Sequence, residues 1–171
     1  MGRTLHDPLE ECVVLFIHKA TEREALHVAL NLCDADKREV RVSTGLTENE
    51  AVMKSFAVSR QCFSARLGTP LASPFLLFGV ADDPDVPGLG SIWLLATRAV
   101  SQAWLPVFRE TPTYLPLLAN QYPLGVHNYI DVRNISHLRW CLKVGFNVVG
   151  NVVINSHDFI QVHYPCALQQ H

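Results

Sequence analysis

Long basic runs, long hydrophobic runs and paired metal-ligand motifs are all missing from this 171-residue sequence. No run of Lys or Arg is long enough to follow a phosphate backbone, and the formal net charge is −2, which disfavours nucleic acid as a partner. The beginning, MGRTLHDPLEE, has no apolar signal core, and runs such as CVVLFI and FLLFGV are too short to cross a bilayer. We therefore expect no membrane span and an intracellular, soluble protein.

Cysteine and histidine are present without the spacing that binding sites need. The eight histidines form no HxxxH or HExxH motif, and the five cysteines form no CxxC pair. The odd number of cysteines also argues against a disulfide framework. We expect no metal site and mostly buried free thiols at the five cysteines, which are Cys12, Cys33, Cys62, Cys141 and Cys166.

What is present is the composition of one folded domain spanning residues 1–171. About half of the residues are hydrophobic (49%) and 18% are charged. The β-branched stretch Val13 to His18 predicts a first strand, and the S/T-x-x-E motifs that begin at Thr21 and Thr47 predict two capped helices. The second of these helices is expected to run to about Arg60 or Cys62.

The rest of the chain predicts a mixed sheet. PFLLFGV and SIWLLAT read as two strands joined by a turn-rich hairpin, and a helix bent or broken by three prolines follows from Val100 to Asn120. GVHNYIDV predicts a strand, Asn134 caps a further helix, and two terminal strands pair antiparallel. The order β-α-α-β-β-α-β-α-β-β indicates an α/β or α+β fold with helices flanking a mixed central sheet.

The segment DVRNISHLRWCLKVGF, after its strand, resembles a hallmark of the Gcn-five-related N-acetyltransferase (GNAT) superfamily. The matching residues are Asn134, Lys143, Gly145 and Phe146. The resemblance implies an acyl-CoA N-acyltransferase-like fold. Two positions depart from the hallmark, because His137 replaces a small residue and Cys141 replaces the Tyr that protonates the departing thiolate in many members.

A larger departure follows the strand SIWLLAT. Members of the superfamily have a glycine-rich loop here, whose backbone amides close on the pyrophosphate of the cofactor at a helix N-terminus. This chain has TRAVSQAW, with no glycine between Gly90 and Gly125. Arg98 could still meet a phosphate as a side-chain charge, which is a weaker substitute.

A second resemblance covers most of the chain. FLLFGV, SIWLLATRAV, YPLGVHNYIDVRN and HLRWCLKVGF, in this order, are similar to small internal virion, or internal core, proteins of short-tailed lytic bacteriophages, which are related in fold to the acetyltransferases. It implies a role in building the internal core of the phage head or in packaging ejected proteins, in the cytoplasm of the bacterial host. The partners would be virion or core proteins.

Two functions follow from these resemblances. In the first, the chain is an interaction protein with a degenerate cofactor loop, and its aromatic segment from Trp104 to Leu118 contacts a partner. In the second, the chain is an active acetyl-CoA-dependent N-acetyltransferase that modifies a host or phage protein. The cofactor-binding residues would then be Leu95, Ala96, Thr97, Arg98 and Asn134, and water, Cys141 or another acid would protonate the departing thiolate.

Each of these signals also has a plain structural interpretation. Asn134 before an amphipathic helix is an ordinary N-cap, and Cys141 four residues after His137 is better explained as a buried thiol than as half of a nucleophilic pair. The acidic loop around Asp83 suggests calcium, yet its prolines favour a solvent turn. His157 beside Asp158 is either a general base or part of a hairpin turn.

Overall fold

The computed structural model describes residues 14–167 as a seven-stranded sheet with five helices. Helices pack on both faces of the sheet, as the sequence predicts for this class of fold. The elements in chain order are β1 (Leu15–Lys19), α1 (Glu22–Leu30), α2 (Asp34–Thr44), α3 (Glu48–Val58), β2 (Ser59–Leu67), β3 (Pro74–Asp82), β4 (Gly90–Ala96), α4 (Val100–Ala119), β5 (Val126–Asp131), α5 (Ile135–Lys143), β6 (Asn147–Ile154) and β7 (His157–Tyr164).

The strands lie in the order β1-β2-β3-β4-β5-β7-β6. All neighbouring strands are antiparallel except β4 and β5, which run parallel and share only the pairs Gly90–Val126 and Ser91–His127. Beyond Ser91 and His127 these two central strands diverge. A gap therefore opens in the middle of the sheet toward the C-terminal ends of β4 and β5.

Strand β3 shows how the two layers are built. Leu77 packs against α1 and α3, whereas Leu76 and Phe78 pack on the face covered by α4. Successive side chains of a strand point to opposite faces, so a strand buried on both sides is apolar throughout, as PFLLFGV is. The almost continuous apolar run in the sequence thus reports burial between two helical layers.

Local capping signals are confirmed at three helices. Thr21 with Glu24 and Thr47 with Glu50 form complete capping boxes at the starts of α1 and α3. Asn134 caps α5 by accepting a hydrogen bond from the His137 N–H at 3.4 Å. These caps depend on residues three positions apart, and for that reason they can be read directly from the sequence.

Two elements of the structure are absent from the predicted order. Helix α2 is mostly polar (DADKREVRVST); it buries Val40 fully and Asp36 and Glu39 in part, so its sequence carries no clear apolar face. Strand β2 begins at Ser59, where the preceding helix was expected to continue to Arg60 or Cys62; α3 in fact ends at Val58. Pairing on both sides, with β1 and β3, makes SRQCFSARL a strand, and that pairing is not visible in the local sequence.

Helix α4 is continuous, so of the two outcomes expected from its prolines, a bend or a break, the break is wrong. Pro106, Pro112 and Pro116 all lie inside one helix of 20 residues. Each proline removes one backbone donor, but burial of Ala103 and Leu118 against the sheet and its neighbouring helices holds the helix together.

No helix within residues 14–167 is long and apolar enough to cross a membrane. In the same range, Cys141 and Cys166 are buried and Cys33 and Cys62 are half-buried, all as free thiols. Cys12 and the beginning of the predicted first strand lie outside the described residues.

Candidate functional site

The gap between β4 and β5 exposes the backbone edge of β4. In the antiparallel pairing of β4 with β3, alternate residues exchange hydrogen bonds, as shown by Thr97 N–H donating to Phe75 C=O at 2.8 Å. The N–H and C=O groups of Ile92, Leu94 and Ala96 therefore point away from β3, toward the gap. Such an unpaired edge can bind an extended chain through backbone hydrogen bonds.

The start of helix α2 occupies the C-terminal part of this edge. Cys33 N–H donates to Ala96 C=O at 2.8 Å, and the Asp36 carboxylate accepts from Ala96 N–H at 2.7 Å. Leu32 forms a single antiparallel bridge with Thr97. Both backbone groups of Ala96 are thus used by the chain itself, through Cys33 at the N-cap of α2 and Asp36 in its first turn.

Further carboxylates of α2 and β5 lie near the end of β4. Asp34 pairs with Arg98 at 2.9 Å, Glu39 accepts from Asn134 Nδ2 at 2.9 Å, and Asp131 pairs with Arg133 at 2.5 Å. The hydrogen bond from Arg133 holds the pKa of Asp131 below its usual value.

Two of the α2 carboxyl groups titrate near neutral pH. Burial raises the pKa of Asp36 to about 6 despite the hydrogen bond from Ala96. Burial raises the pKa of Glu39 to about 7, although the hydrogen bond from Asn134 acts in the opposite direction. The site is therefore acidic, and part of its charge depends on pH in the neutral range.

The loop after β4 folds into a tight turn. The N–H groups of Val100 and Gln102 donate to the carbonyls of Thr97 and Ala99, at 3.1 and 3.0 Å. Ala99, at the N-cap position of α4, offers no side-chain acceptor. The first amides of α4 are thus directed back into their own turn and do not form an open cradle for an anion.

No family model matches the sequence, and a search of curated proteins finds no significant relative. Solved structures do match over most of the chain. The acetyltransferase of the GNAT family from Streptococcus pneumoniae is similar with a TM-score of 0.61 at 13% identity, over 90% of this chain and 100% of that chain.

Two further matches were solved with cofactor bound. A Salmonella typhimurium protein, assigned as an acetyltransferase, holds acetyl-CoA and matches with a TM-score of 0.66 at 12% identity, over 92% of this chain and 95% of its own. The spermidine N-acetyltransferase from Vibrio cholerae holds CoA and spermine and matches with a TM-score of 0.61 at 9% identity, over 90% and 96%. The chain has the GNAT acetyltransferase fold.

Within this fold, the sequence resemblance assigned five residues of the chain to the cofactor. Three of them bind carboxylates of α2: Ala96 binds Asp36, Arg98 binds Asp34, and Asn134 binds Glu39. The other two make no contact that would recognise a cofactor, since Leu95 packs against the α1 and α3 layer and Thr97 Oγ1 accepts from Ala99 N–H. Their assignment to the cofactor stays a prediction.

This arrangement does not fit acetyl-CoA at the end of β4. Ala96 has no backbone group left to pair with a pantetheine amide, and the amides of the following turn are bonded internally. The Arg98 charge is compensated by Asp34, and the Asp36 and Glu39 carboxyl groups would stand near any pyrophosphate. A cofactor could enter only if the start of α2 moved.

Cys141, the predicted proton donor, lies in the interior. It is 1% exposed, and burial together with the nearby Glu39 raises its pKa to about 12. His137 lines the same cavity, and burial lowers its pKa to about 4. A thiol this weakly acidic is poorly matched to proton transfer at neutral pH, so the geometry favours the structural interpretation of Cys141.

The cavity that contains Cys141 lies between the sheet and helices α4 and α5. Its volume is about 60 Å³, and it is partly open to solvent. Ile92 and Leu94 of β4, Asn128 of β5, and Leu118 and Trp140 of the helices are among its lining residues. Its walls are mostly apolar, so the inner end of the gap is suited to uncharged groups.

A buried polar pair near β5 was missed by the sequence analysis. His127 Nε2 lies 2.7 Å from Asp83 Oδ2, and His127 Nδ1 lies 3.4 Å from Gln161 Nε2. Asp83 also accepts from the N–H groups of Asp85 and Val86, which explains the acidic loop as a turn. The two partners are 44 residues apart, so no local pattern signals the pair.

The other predicted candidates lie in ordinary surface structure. His157 and Asp158 are exposed in the β6–β7 hairpin, where His157 Nδ1 contacts Asn155 C=O at 2.8 Å. Within residues 14–167, no group of three or more His, Cys, Asp or Glu side chains is arranged to hold a metal ion.

Proposed function

We propose that this chain uses the acetyltransferase fold without acetyl transfer, as an accessory protein that binds other proteins during assembly of the internal core of a phage head or packaging of its ejected proteins. The proposal has two parts, the loss of cofactor binding and the partner. Each part is supported by different observations and can fail separately.

The observation that carries the first part is the contact between α2 and β4 at Ala96. Backbone and carboxylate groups of Cys33 and Asp36 satisfy the N–H and C=O of Ala96 at 2.8 and 2.7 Å. A bound cofactor would have to break both hydrogen bonds and bring phosphates close to Asp34 and Glu39. Together with the loop that lacks glycine, this favours a fold retained as a scaffold.

The second part is supported by the surface of α4. Trp104 is 61% exposed, although tryptophan side chains are highly buried on average. Other members of the aromatic segment are used internally, since Tyr114 packs edge-on against Phe63 and Phe78. We therefore assign the partner contact to the outer face of α4 around Trp104.

The virion part of the proposal rests on the resemblance of the sequence to internal virion proteins of short-tailed phages. The site of action would be the cytoplasm of an infected bacterium, in association with assembling heads. The partner would be another protein of the internal core, with an apolar pocket that accepts the Trp104 ring.

Calorimetry with acetyl-CoA, CoA and desulfo-CoA tests the first part. We expect no heat of binding at ligand concentrations of about 1 mM. Micromolar binding to the wild-type chain that is weakened in Arg98→Ala would overturn it.

Affinity capture from infected cells tests the second part. A tagged chain should retain internal core proteins, and Trp104→Ala should reduce this capture at least tenfold. Leu71→Ala is the matched control, because Leu71 is 92% exposed in the β2–β3 loop and should not affect capture. Capture of no virion protein, or equal capture by Trp104→Ala, would contradict the proposed partner surface.

One observation favours a second candidate function, an active N-acetyltransferase that modifies a host or phage protein. The central strands β4 and β5 diverge beyond Ser91 and His127, which leaves a gap in the sheet where a cofactor could bind. A sheet paired along the whole of these strands would leave no such gap. For this function the α2 start must leave Ala96, so Asp36→Ala should bind acetyl-CoA more tightly than the wild-type chain. If neither protein binds acetyl-CoA, this candidate is excluded.

A further inference from the structure

The two edges of the sheet differ in a way that points to a second copy of this chain. Edge strand β1 has five residues and ends in the exposed His18 and Lys19. Edge strand β6 has eight residues, Asn147–Ile154, with neither a charged residue nor a proline. Charge, proline and short length are among the features that protect sheet edges from pairing, and β6 has none of these three; its one irregularity is the register shift near its start, between Val148 and Gly150.

The side chains of β6 reinforce this contrast. Val148, Val149 and Val153 are 52%, 60% and 70% exposed. Val148 and Val153 stand opposite Val162 and Asp158 of β7, on the sheet face that α4 and α5 cover. A row of exposed valines at the rim of a covered face is apolar surface that a monomer leaves in water.

The backbone of β6 offers hydrogen-bonding groups along the same edge. Asn155 and Ser156 have φ values of 48° and 65°, which is the two-residue hairpin turn that joins β6 to β7. In such a hairpin the flanking residues Ile154 and His157 bond to each other, and bonding then recurs at every second residue. The N–H and C=O groups of Asn151 and Val153 therefore point outward, and no strand pairs with them among residues 14–167.

We propose that β6 pairs antiparallel with β6 of a second copy, which joins the two sheets into one continuous sheet across a two-fold axis. An antiparallel pair of identical strands is symmetric by construction, so each copy supplies the acceptors that the other lacks. Because β6 has no charge, the symmetric pairing places no like charges opposite each other. The register shift between Val148 and Gly150 bends the start of the strand, so pairing centres on residues 151–154.

A second copy fits this edge better than an unrelated peptide, because association uses both β6 edges and then stops. The remaining edges belong to β1, which carries its protective charges. The proposal therefore predicts a closed dimer and no larger polymer. It is independent of the proposed function, since it uses neither the contact of α2 with Ala96 nor the surface around Trp104.

Sedimentation velocity of the full-length chain tests the proposal. We expect a species of twice 19.1 kDa at protein concentrations of about 20 μM, dissociating on dilution. Val153→Lys adds a charge on the edge, and Asn151→Pro removes an outward N–H donor without adding one. Each should raise the dimer Kd at least tenfold.

The control is Leu71→Lys, the same type of change at an exposed side chain far from β6 in the sheet order, and it should remain a dimer. Far-ultraviolet circular dichroism and the urea midpoint of each variant show whether it is folded. A wild-type chain that stays monomeric at about 100 μM would overturn the proposal. So would a folded Val153→Lys chain with unchanged dimer Kd, or an open series of larger oligomers.

Discussion

Replacing Glu39 by Gln should stabilise the protein above neutral pH and leave it nearly unchanged in mild acid. Glu39 lies in α2, where its carboxylate accepts a hydrogen bond from Asn134 Nδ2 at 2.9 Å. Burial raises its pKa from 4.5 in the unfolded chain to about 7 in the folded protein. The folded state therefore holds this proton more tightly than the unfolded state does.

The sign and size of the effect follow from that difference. A group whose pKa is raised by folding stabilises the native state fully below the unfolded pKa of 4.5, and this contribution is lost as pH rises through about 7. A difference of about 2.5 in pKa corresponds to roughly 3 kcal/mol, the most that ionisation of Glu39 can cost at high pH. Glutamine keeps an oxygen that can accept from Asn134 and never ionises, so Glu39→Gln avoids this loss.

Urea unfolding, followed by the fluorescence of the three tryptophans at pH 5, 6, 7 and 8, measures the effect. The free energy of unfolding of Glu39→Gln should exceed that of the wild-type chain by less than about 1 kcal/mol at pH 5 and by about 3 kcal/mol at pH 8, because the carboxyl group of the unfolded chain is already mostly ionised at pH 5. Comparing the two proteins at each pH cancels other titrating groups such as His137. Glu22→Gln, in the first turn of α1, is the matched control for the same substitution at an exposed site.

A wild-type chain that becomes more stable relative to Glu39→Gln between pH 6 and 8 would refute the reasoning. It would mean that ionised Glu39 is stabilised in the folded protein, with its hydrogen bond from Asn134 outweighing burial. The charge of Glu39 could not then oppose cofactor binding at the end of β4 in the pH-dependent way described above.

Four further substitutions test the fold by urea unfolding. Phe159→Ala should lower the free energy of unfolding by about 3–5 kcal/mol, because Phe159 is fully buried and its removal leaves a cavity. Asn134→Ala should cost about 1–2 kcal/mol through loss of the α5 cap. The cost should be larger at pH 8 than at pH 5, because the Asn134 side chain also donates to ionised Glu39. An equal cost at both pH values would contradict that contact. Gly125→Ala should cost about 3 kcal/mol or more, since φ is 79° and the new Cβ would lie 2.3 Å from a β7 carbonyl oxygen. Gly45→Ala, at a φ of 69° with no atom within 4 Å, should cost only about 1–2 kcal/mol. Similar losses at the two glycines would contradict a steric clash at Gly125.

Elements with local signals were predicted well. The capping boxes at Thr21 and Thr47 and the cap at Asn134 involve residues three apart, and apolar runs such as PFLLFGV carry their burial in their composition. The hallmark around Asn134 and Gly145 led to the correct fold class. Strand β2 and helix α2 were missed, since β2 depends on pairing with two other strands and α2 has only one buried residue.

The assignment of site residues to a cofactor stays a prediction. Ala96, Arg98 and Asn134 each bind a carboxylate of α2. Their partners Asp36, Asp34 and Glu39 were not foreseen, because α2 itself was not. The sequence indicated a weakened cofactor loop through its missing glycines, and the structure adds a segment of the chain that occupies the same strand edge.

The sequence by itself determined the starts of every helix except α2, the apolar strands and the fold class, because these depend on hydrogen bonds and hydrophobic patterns among residues a few positions apart. Only the tertiary structure decided that the end of β4 is closed. The contact of Asp36 with Ala96 joins residues 60 apart, and that of Glu39 with Asn134 joins residues 95 apart. Burial created by these distant contacts brings the carboxyl pKa values to about 6 and about 7, and no local pattern of amino acids carries that information.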